Sequence, residues 1–293
     1  MLALKPCIQT ILRRVDLYDR LRASCVYDAY WQLVDGQRIQ ARNNELLFYR
    51  RLLSGFRRGD LVFDIGANAG EKTDLFLRLG ARVIAVEPDD RNQEVLKGKF
   101  LKYRLFPKPT VVVGQAISDK IGVETMWIDQ PGSALNTLSQ KWADTLKGDK
   151  KRFAHIPDTQ DFSSRKEVAT TTLEHLMGVY GVPFFVKIDV EGYELNVLRS
   201  LRQRVRYLSF EVNLPEFRQE GLQCVELLGK LAADGEFNYS AGYQLSLRLE
   251  KWTGSDEFLR VLDGCTDKGI DVFWRTFAPT ETQATKDGYV RPI

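Results

Sequence analysis

Residues Leu61 to Thr73 read LVFDIGANAGEKT. An apolar run holding one acid, Asp64, gives way to a short loop with two glycines, Gly66 and Gly70, and then to helix formers. A short apolar run bounded by glycine and feeding a helix is the start of a β-α unit. In an open α/β sheet, ligands bind beyond the carboxyl ends of the strands, so the loop after this strand is a candidate binding loop.

The rest of the chain repeats the unit. Short apolar runs follow at RVIAVE (82–87), TVVVG (110–114), PFFVKID (183–189), RYLSFEV (206–212), YQLSLRL (243–249) and IDVFWRT (270–276). Amphipathic stretches lie between them: EKTDLFLRL, RNQEVLKGKFLKY, YELNVLRSL, CVELLGKLAA and residues 255–265. Strands alternating with helices imply a mainly parallel, doubly wound α/β sheet covered on both faces. The last two runs are joined by little helix, which predicts an antiparallel edge strand near the C-terminus. Residues 1–54 form a helical lead-in, with Asn43 and Asn44 as caps for the helix around Leu46 and Leu53. The main domain is expected over 55–278, with a loosely ordered tail at 279–293. Its rhythm fails between about 119 and 172, where VETMWI and ATTTL read as strands around a polar insertion at about 130–170. An insertion of that length in a compact domain is usually functional or mobile.

Composition narrows the class. The 293 residues are 44% hydrophobic and 28% charged, as in a soluble globular protein. A net charge of +3 is too small for a nucleic-acid binder, and Arg199, Arg202, Arg204 and Arg206 fall where a helix should end. No apolar run is long enough for a membrane span, and the N-terminal stretch lacks a cleavage site, so a cytoplasmic protein is expected. Cys7, Cys25, Cys224 and Cys265 are scattered, which argues against a zinc site or disulfide framework.

Which ligand the loop holds turns on charge. Its spacing is G-x-x-x-G, and a dinucleotide would set a doubly negative pyrophosphate over it, at the helix N-terminus. Asp64 opposes that. S-adenosylmethionine carries a sulfonium and an ammonium group and no phosphate, so a carboxylate here can hold its cationic end directly or through water. Glu87 ends the second strand about twenty residues on, where an acid accepts both ribose hydroxyls of an adenosine.

Further acids gather at later strand ends. Lys187, Asp189 and Glu191 share one parity of FFVKIDVEGYEL, and Ser209, Glu211 and Asn213 share one parity of YLSFEVNLPEF. Charged groups cannot lie in the middle of a buried strand without a large desolvation cost, so they belong in the cleft, with Pro215 and Phe217 shaping its wall. Two chemistries fit. A carboxylate could take the proton of a substrate hydroxyl, or Asp189, Glu211 and Asn213 could hold a hard cation. The first is preferred and no metal is assigned. Of the two histidines, His175 reads as structural or solvated, and His155 could reach the cleft as part of a lid.

Taken together, VFDIGANAGEKT, VIAVEPDDRN, AISDKIG, TTTLEHL and above all VKIDVEGYELNVLRSL resemble the FkbM-type S-adenosylmethionine-dependent methyltransferases, over about residues 60–215. The resemblance implies a class I methyltransferase sheet of seven strands with the last antiparallel, and O-methylation of a hydroxyl on a sugar or natural-product scaffold. It implies that Asp64, Gly66, Asn68 and Gly70 hold the methionine part, Glu87 the ribose, and Gln115, Ala116 and Ser118 the adenine edge. Ala67, Thr73, Pro88 and Asp189 belong to the same cofactor-binding set. Asp189 and Glu191 would face the transferred methyl, with Lys187 and Glu211 in the catalytic cluster. Where the family often has an aromatic residue before the threonine of the first motif, this chain has Lys72. The rival readings are a nicotinamide-dependent oxidoreductase on a similar sheet and a non-catalytic nucleotide-binding module. The expected partner is a small-molecule or carbohydrate hydroxyl acceptor; oligomeric state is not legible.

Overall fold

The computed structural model describes residues 36–100, 110–148, 162–242 and 244–277. Helix α1 (Gly36–Leu52) leads into strand β1 (Leu61–Ile65), helix α2 (Glu71–Leu79), strand β2 (Arg82–Val86), helix α3 (Asp90–Lys99) and strand β3 (Thr110–Val113). A smaller unit follows, with β4 (Ala116–Ile117), β5 (Gly122–Ile128), α4 (Gln140–Gly148) and β6 (Ser164–Thr171). The chain then runs through α5 (Leu173–Tyr180), β7 (Phe185–Ile188), α6 (Glu194–Leu198), β8 (Tyr207–Asn213), α7 (Arg218–Leu231), β9 (Glu236–Ala241), α8 (Ser255–Asp263) and β10 (Gly269–Arg275).

Seven strands form the main sheet in the order β3-β2-β1-β7-β8-β10-β9. The pairings from β3 through to β8 are parallel, and β10 is antiparallel to both neighbours. This is the class I methyltransferase sheet. Two details differ from the sequence expectation. The antiparallel strand is not at the edge, because β10 inserts between β8 and β9. The edge strand is β9, Glu236–Ala241, while residues 244–249 are irregular. They run alongside β9 through hydrogen bonds from Arg248 N to Tyr239 O (2.8 Å) and from Asn238 Nδ2 to Leu249 O (2.9 Å).

Parity along the strands divides the core. Phe63, Ile65, Ile84, Val86, Ile188 and Phe210 face α5 to α8, where Leu173, Val197, Val225 and Phe258 pack on them. Val62, Val83, Ala85, Phe185 and Phe273 face the other way, onto Tyr49, Leu53, Leu75, Phe76 and Leu96 of α1 to α3 and the turn after α1. Helix α1 is therefore part of the main core, and Asn43 and Asn44 lie exposed inside it rather than capping it. The insertion contributes β6 and α4, and β6 pairs with β5 and β4 in a separate three-stranded sheet. His155 and residues 279–293 lie outside the described residues, as do Cys7 and Cys25; Cys224 and Cys265 are buried free thiols. No helix among the described residues is long and apolar enough to cross a membrane.

Candidate active site

Strand order reverses direction between β1 and β7, and a cleft opens there beyond their carboxyl ends. Its enclosed part holds about 120 Å³ and it is open to solvent at its mouth. Ile65, Gly66 and Asn68 floor it from the first loop; Glu87, Pro88 and Asn92 wall it from the second. Ala116, Ile117 and Met126 line it from the small sheet, Asn136 to Leu138 from the insertion, and Asp189 to Glu191 with Tyr193 from the loop after β7.

Glu87 stands where the sequence places it. It is 6% exposed, and its two carboxylate oxygens accept backbone N–H groups of Asn68 and Asp89, each at 2.8 Å. Burial pushes it up to about 7 against those two hydrogen bonds. Each oxygen keeps a second lone pair for a donor in the cleft. Asp89 itself caps α3, accepting from Arg91 N and Asn92 N.

Asp64 is placed differently. It is fully buried and does not line the cleft. Its Oδ2 accepts the Thr73 hydroxyl at 2.5 Å, and Lys187 Nζ lies 3.9 Å from its Oδ1, which has no hydrogen-bond donor. Burial raises Asp64, and the Lys187 charge and Thr73 work against that. Lys187 also sits in the sheet rather than the cleft, 5% exposed and donating to Asp189 Oδ2 at 2.7 Å. The desolvation cost that argued against a lysine inside a strand is offset by this Asp64–Lys187–Asp189 chain. Asp64 thus acts from one layer below the cleft, linked through Lys187 to Asp189, which lines it. Its orphaned oxygen is an acceptor of the kind that a water or an ammonium group satisfies.

The glycines serve the protein before they serve a ligand. A Cβ on Gly66, at φ +78°, would stand 1.8 Å from Asp189 O, because the loops after β1 and β7 cross there. A Cβ on Gly70 would meet Leu96 and Phe100 of α3 and its C-cap, at 2.5 and 2.8 Å. Gly70, Ala67 and Thr73 do not line the cleft, nor do Gln115 and Ser118. Ser118 is fully buried and donates to Glu124 Oε1 at 2.5 Å, while Tyr193, which does line the cleft, donates its hydroxyl to the other oxygen of Glu124.

At the far end the acids converge. Asp189, Glu191 and Glu211 each bring one carboxylate oxygen within 4.8 Å of the others, the one such group among the described residues. Each already has a donor: Lys187 on Asp189, the Trp142 indole on Glu191 at 2.9 Å, and the Asn213 amide on Glu211 at 3.2 Å. Burial pushes Glu191 up to about 8, reinforced by Asp189, and pushes Glu211 well up, reinforced by Asp189 and Glu191. Phe217 backs the turn at Gly192, whereas Pro215 is exposed. His175 is exposed on α5.

A family model, the methyltransferase FkbM domain, matches residues 64–245. The chain belongs to this family. Among solved structures it is similar to the FkbM methyltransferase of Methylobacillus flagellatus KT, at 15% identity and TM-score 0.48, over 78% of this chain and 47% of that one. It is also similar to a SAM-dependent O-methyltransferase from Thermotoga maritima, at 11% identity and TM-score 0.39, over 81% of this chain and 66% of that one. A third is an O-methyltransferase from Bacillus cereus in complex with SAH, at 12% identity and TM-score 0.35, over 92% and 97%. The chain thus spans about half the length of the first and two thirds of the second. No curated protein matches it.

Within this FkbM domain, sequence reading missed Asn92, Met126, Asn136, Thr137, Tyr193 and Trp142. Tyr193 stood inside the distinctive EGYEL motif and Asn92 at the end of VIAVEPDDRN, whereas Met126 of β5 and Asn136, Thr137 and Trp142 of the insertion belong to no motif. Asn136 is tied to Asp89 (3.0 Å), which joins the insertion to the ribose side of the cleft.

Proposed function

We propose that the chain is an S-adenosylmethionine-dependent O-methyltransferase acting on a hydroxyl of a sugar or other small molecule. The observation that supports this is one cleft with Glu87 at one end and Asp189 and Glu191 at the other, and with Glu211 beside these two but not lining the cleft. Glu87 would accept the ribose hydroxyls, Pro88, Ala116 and Ile117 would bracket the adenine, and the first loop with the Asp64 trio beneath it would face the methionine part. Bound there, the donor supplies a methyl group on a sulfonium for in-line displacement. Asp189 and Glu191 would orient the acceptor hydroxyl, and one of these carboxylates would hold its proton as the oxygen attacks. We read no role for nucleic acid.

The FkbM match supports methyl transfer over the oxidoreductase reading. A module that binds the nucleotide without turnover is distinguished by experiment. Calorimetry should detect binding of S-adenosylhomocysteine; absence of binding by both it and S-adenosylmethionine sinks the cofactor reading. Screening labelled methyl transfer over hydroxylated acceptors then tests the reaction, and no transfer to any acceptor favours the binding module.

A further inference from the structure

We propose that Trp142 and Thr137, both contributed by the insertion, are positioning residues that hold the Glu191 carboxylate in the cleft. The proposal rests on the reading of Glu191 as a group facing the transferred methyl.

Glu191 has φ +55°, a conformation that residues with side chains rarely adopt. Nothing in β7 imposes it, since that strand ends at Ile188. The insertion does. The Thr137 hydroxyl donates to Glu191 O at 2.7 Å, and the Trp142 indole N–H donates to Glu191 Oε2 at 2.9 Å. Both residues are themselves held. Thr137 is 1% exposed and pairs with Trp127 of β5 through Trp127 N to Thr137 O (2.7 Å) and Thr137 N to Trp127 O (3.1 Å). Trp142 is 3% exposed and meets the Phe217 ring edge-on, with centroids 5.6 Å apart. Phe217 in turn occupies the space a Cβ on Gly192 would need, 2.5 Å away.

The carboxylate is thereby held by one oxygen, leaving Oε1 to face ligand. An N–H donated to a carboxylate favours its charged form and so works against burial. The charged groups around Glu191 are Lys187 and Asp189 from β7 and its loop, Glu194 from α6 and Glu211 from β8. From α4, Lys141 turns instead to Glu220 of α7.

The five tryptophans give the test, which needs no acceptor. In protein labelled with 15N-tryptophan, Trp142→Phe identifies the Trp142 indole resonance. That resonance should move with pH around a midpoint near 8 in the parent protein and stay flat in Glu191→Gln. Thr137→Val should cut the amplitude at least twofold, and Thr137→Ser should restore it. A resonance that does not titrate, that still titrates in Glu191→Gln, or that is unchanged by Thr137→Val overturns the proposal. Calorimetry with S-adenosylhomocysteine on the parent protein separates the two claims. Binding with a silent indole sinks the positioning alone; a titrating indole without binding sinks the cofactor reading alone.

Discussion

Glu87 and Asp189 mark the two ends of the cleft and make separable predictions. Glu87→Ala should weaken S-adenosylhomocysteine by roughly tenfold or more by calorimetry, the loss of hydrogen bonds to a charged acceptor. Its carboxyl sits at about 7, and its anion accepts ribose hydroxyls better than the neutral acid does. Affinity should therefore rise as pH climbs from 6 to 8, and Glu87→Gln should flatten that rise. Asp189→Asn should cost at least a hundredfold in methyl transfer while leaving cofactor binding within a few-fold. Equal loss of both would place Asp189 on the cofactor instead. The sequence made Glu87 and the Asp189–Glu191 pair legible because strand-end position alone decides where they point. Asp64 was legible as a residue but not as a role: its parity sends it down onto Lys187 and Thr73, and only three-dimensional pairing reveals that.

Among the elements, α1 and α2 clamp one face of the sheet through an aromatic stack. Tyr49 and Phe76 meet edge-on with centroids 5.3 Å apart, and Phe76 meets Phe185 of β7 at 5.5 Å. Phe76 is fully buried, so Phe76→Ala should cost about 3–5 kcal/mol in denaturant unfolding. A cost below about 1 kcal/mol would mean that this face does not hold the sheet. The strands with continuous apolar runs, β1, β2, β7 and β8, were legible because parallel strands buried on both faces admit few polar residues. The edge strand was not. EFNYSA mixes polar and apolar residues as an edge allows, while YQLSLRL alternates more cleanly yet serves only to cover that edge. Helices α3 and α7 were legible from periodicity; the start of α1 was not, since its middle carries Asn43 and Asn44.

For the whole molecule, buried carboxyls set the response to pH. Glu87 and Glu194 stand at about 7 and Glu191 at about 8, each pushed up mainly by burial from an ordinary value of 4.5. The unfolded chain releases these protons from about pH 4.5, whereas the fold keeps them until pH 7 to 8. Their contribution is fully present below the lower value, declines across this window and levels off above it. Asp74 acts oppositely. Burial would raise it, but the Arg78 hydrogen bond and the Arg42 charge hold it below the usual range, so its contribution is lost in acid. The melting temperature should therefore fall by about 5 °C or more between pH 5.5 and 8.5; a rise over that interval would contradict the burial of these acids.

Strand β10 has a bearing on synthesis. It is the last strand of the sheet in sequence yet lies inside it, with Asp271 opposite Glu211 on one side and Ser240 on the other. A nascent chain that has emerged through β9 has no neighbour for that strand, and β8 presents a bare edge of the kind chaperones must shield. The acceptor end of the cleft can mature only when residues 269–275 leave the ribosome and slot in. Nonsense or frameshift changes shortly before Gly269 should therefore yield insoluble protein rather than a domain that still binds its nucleotide.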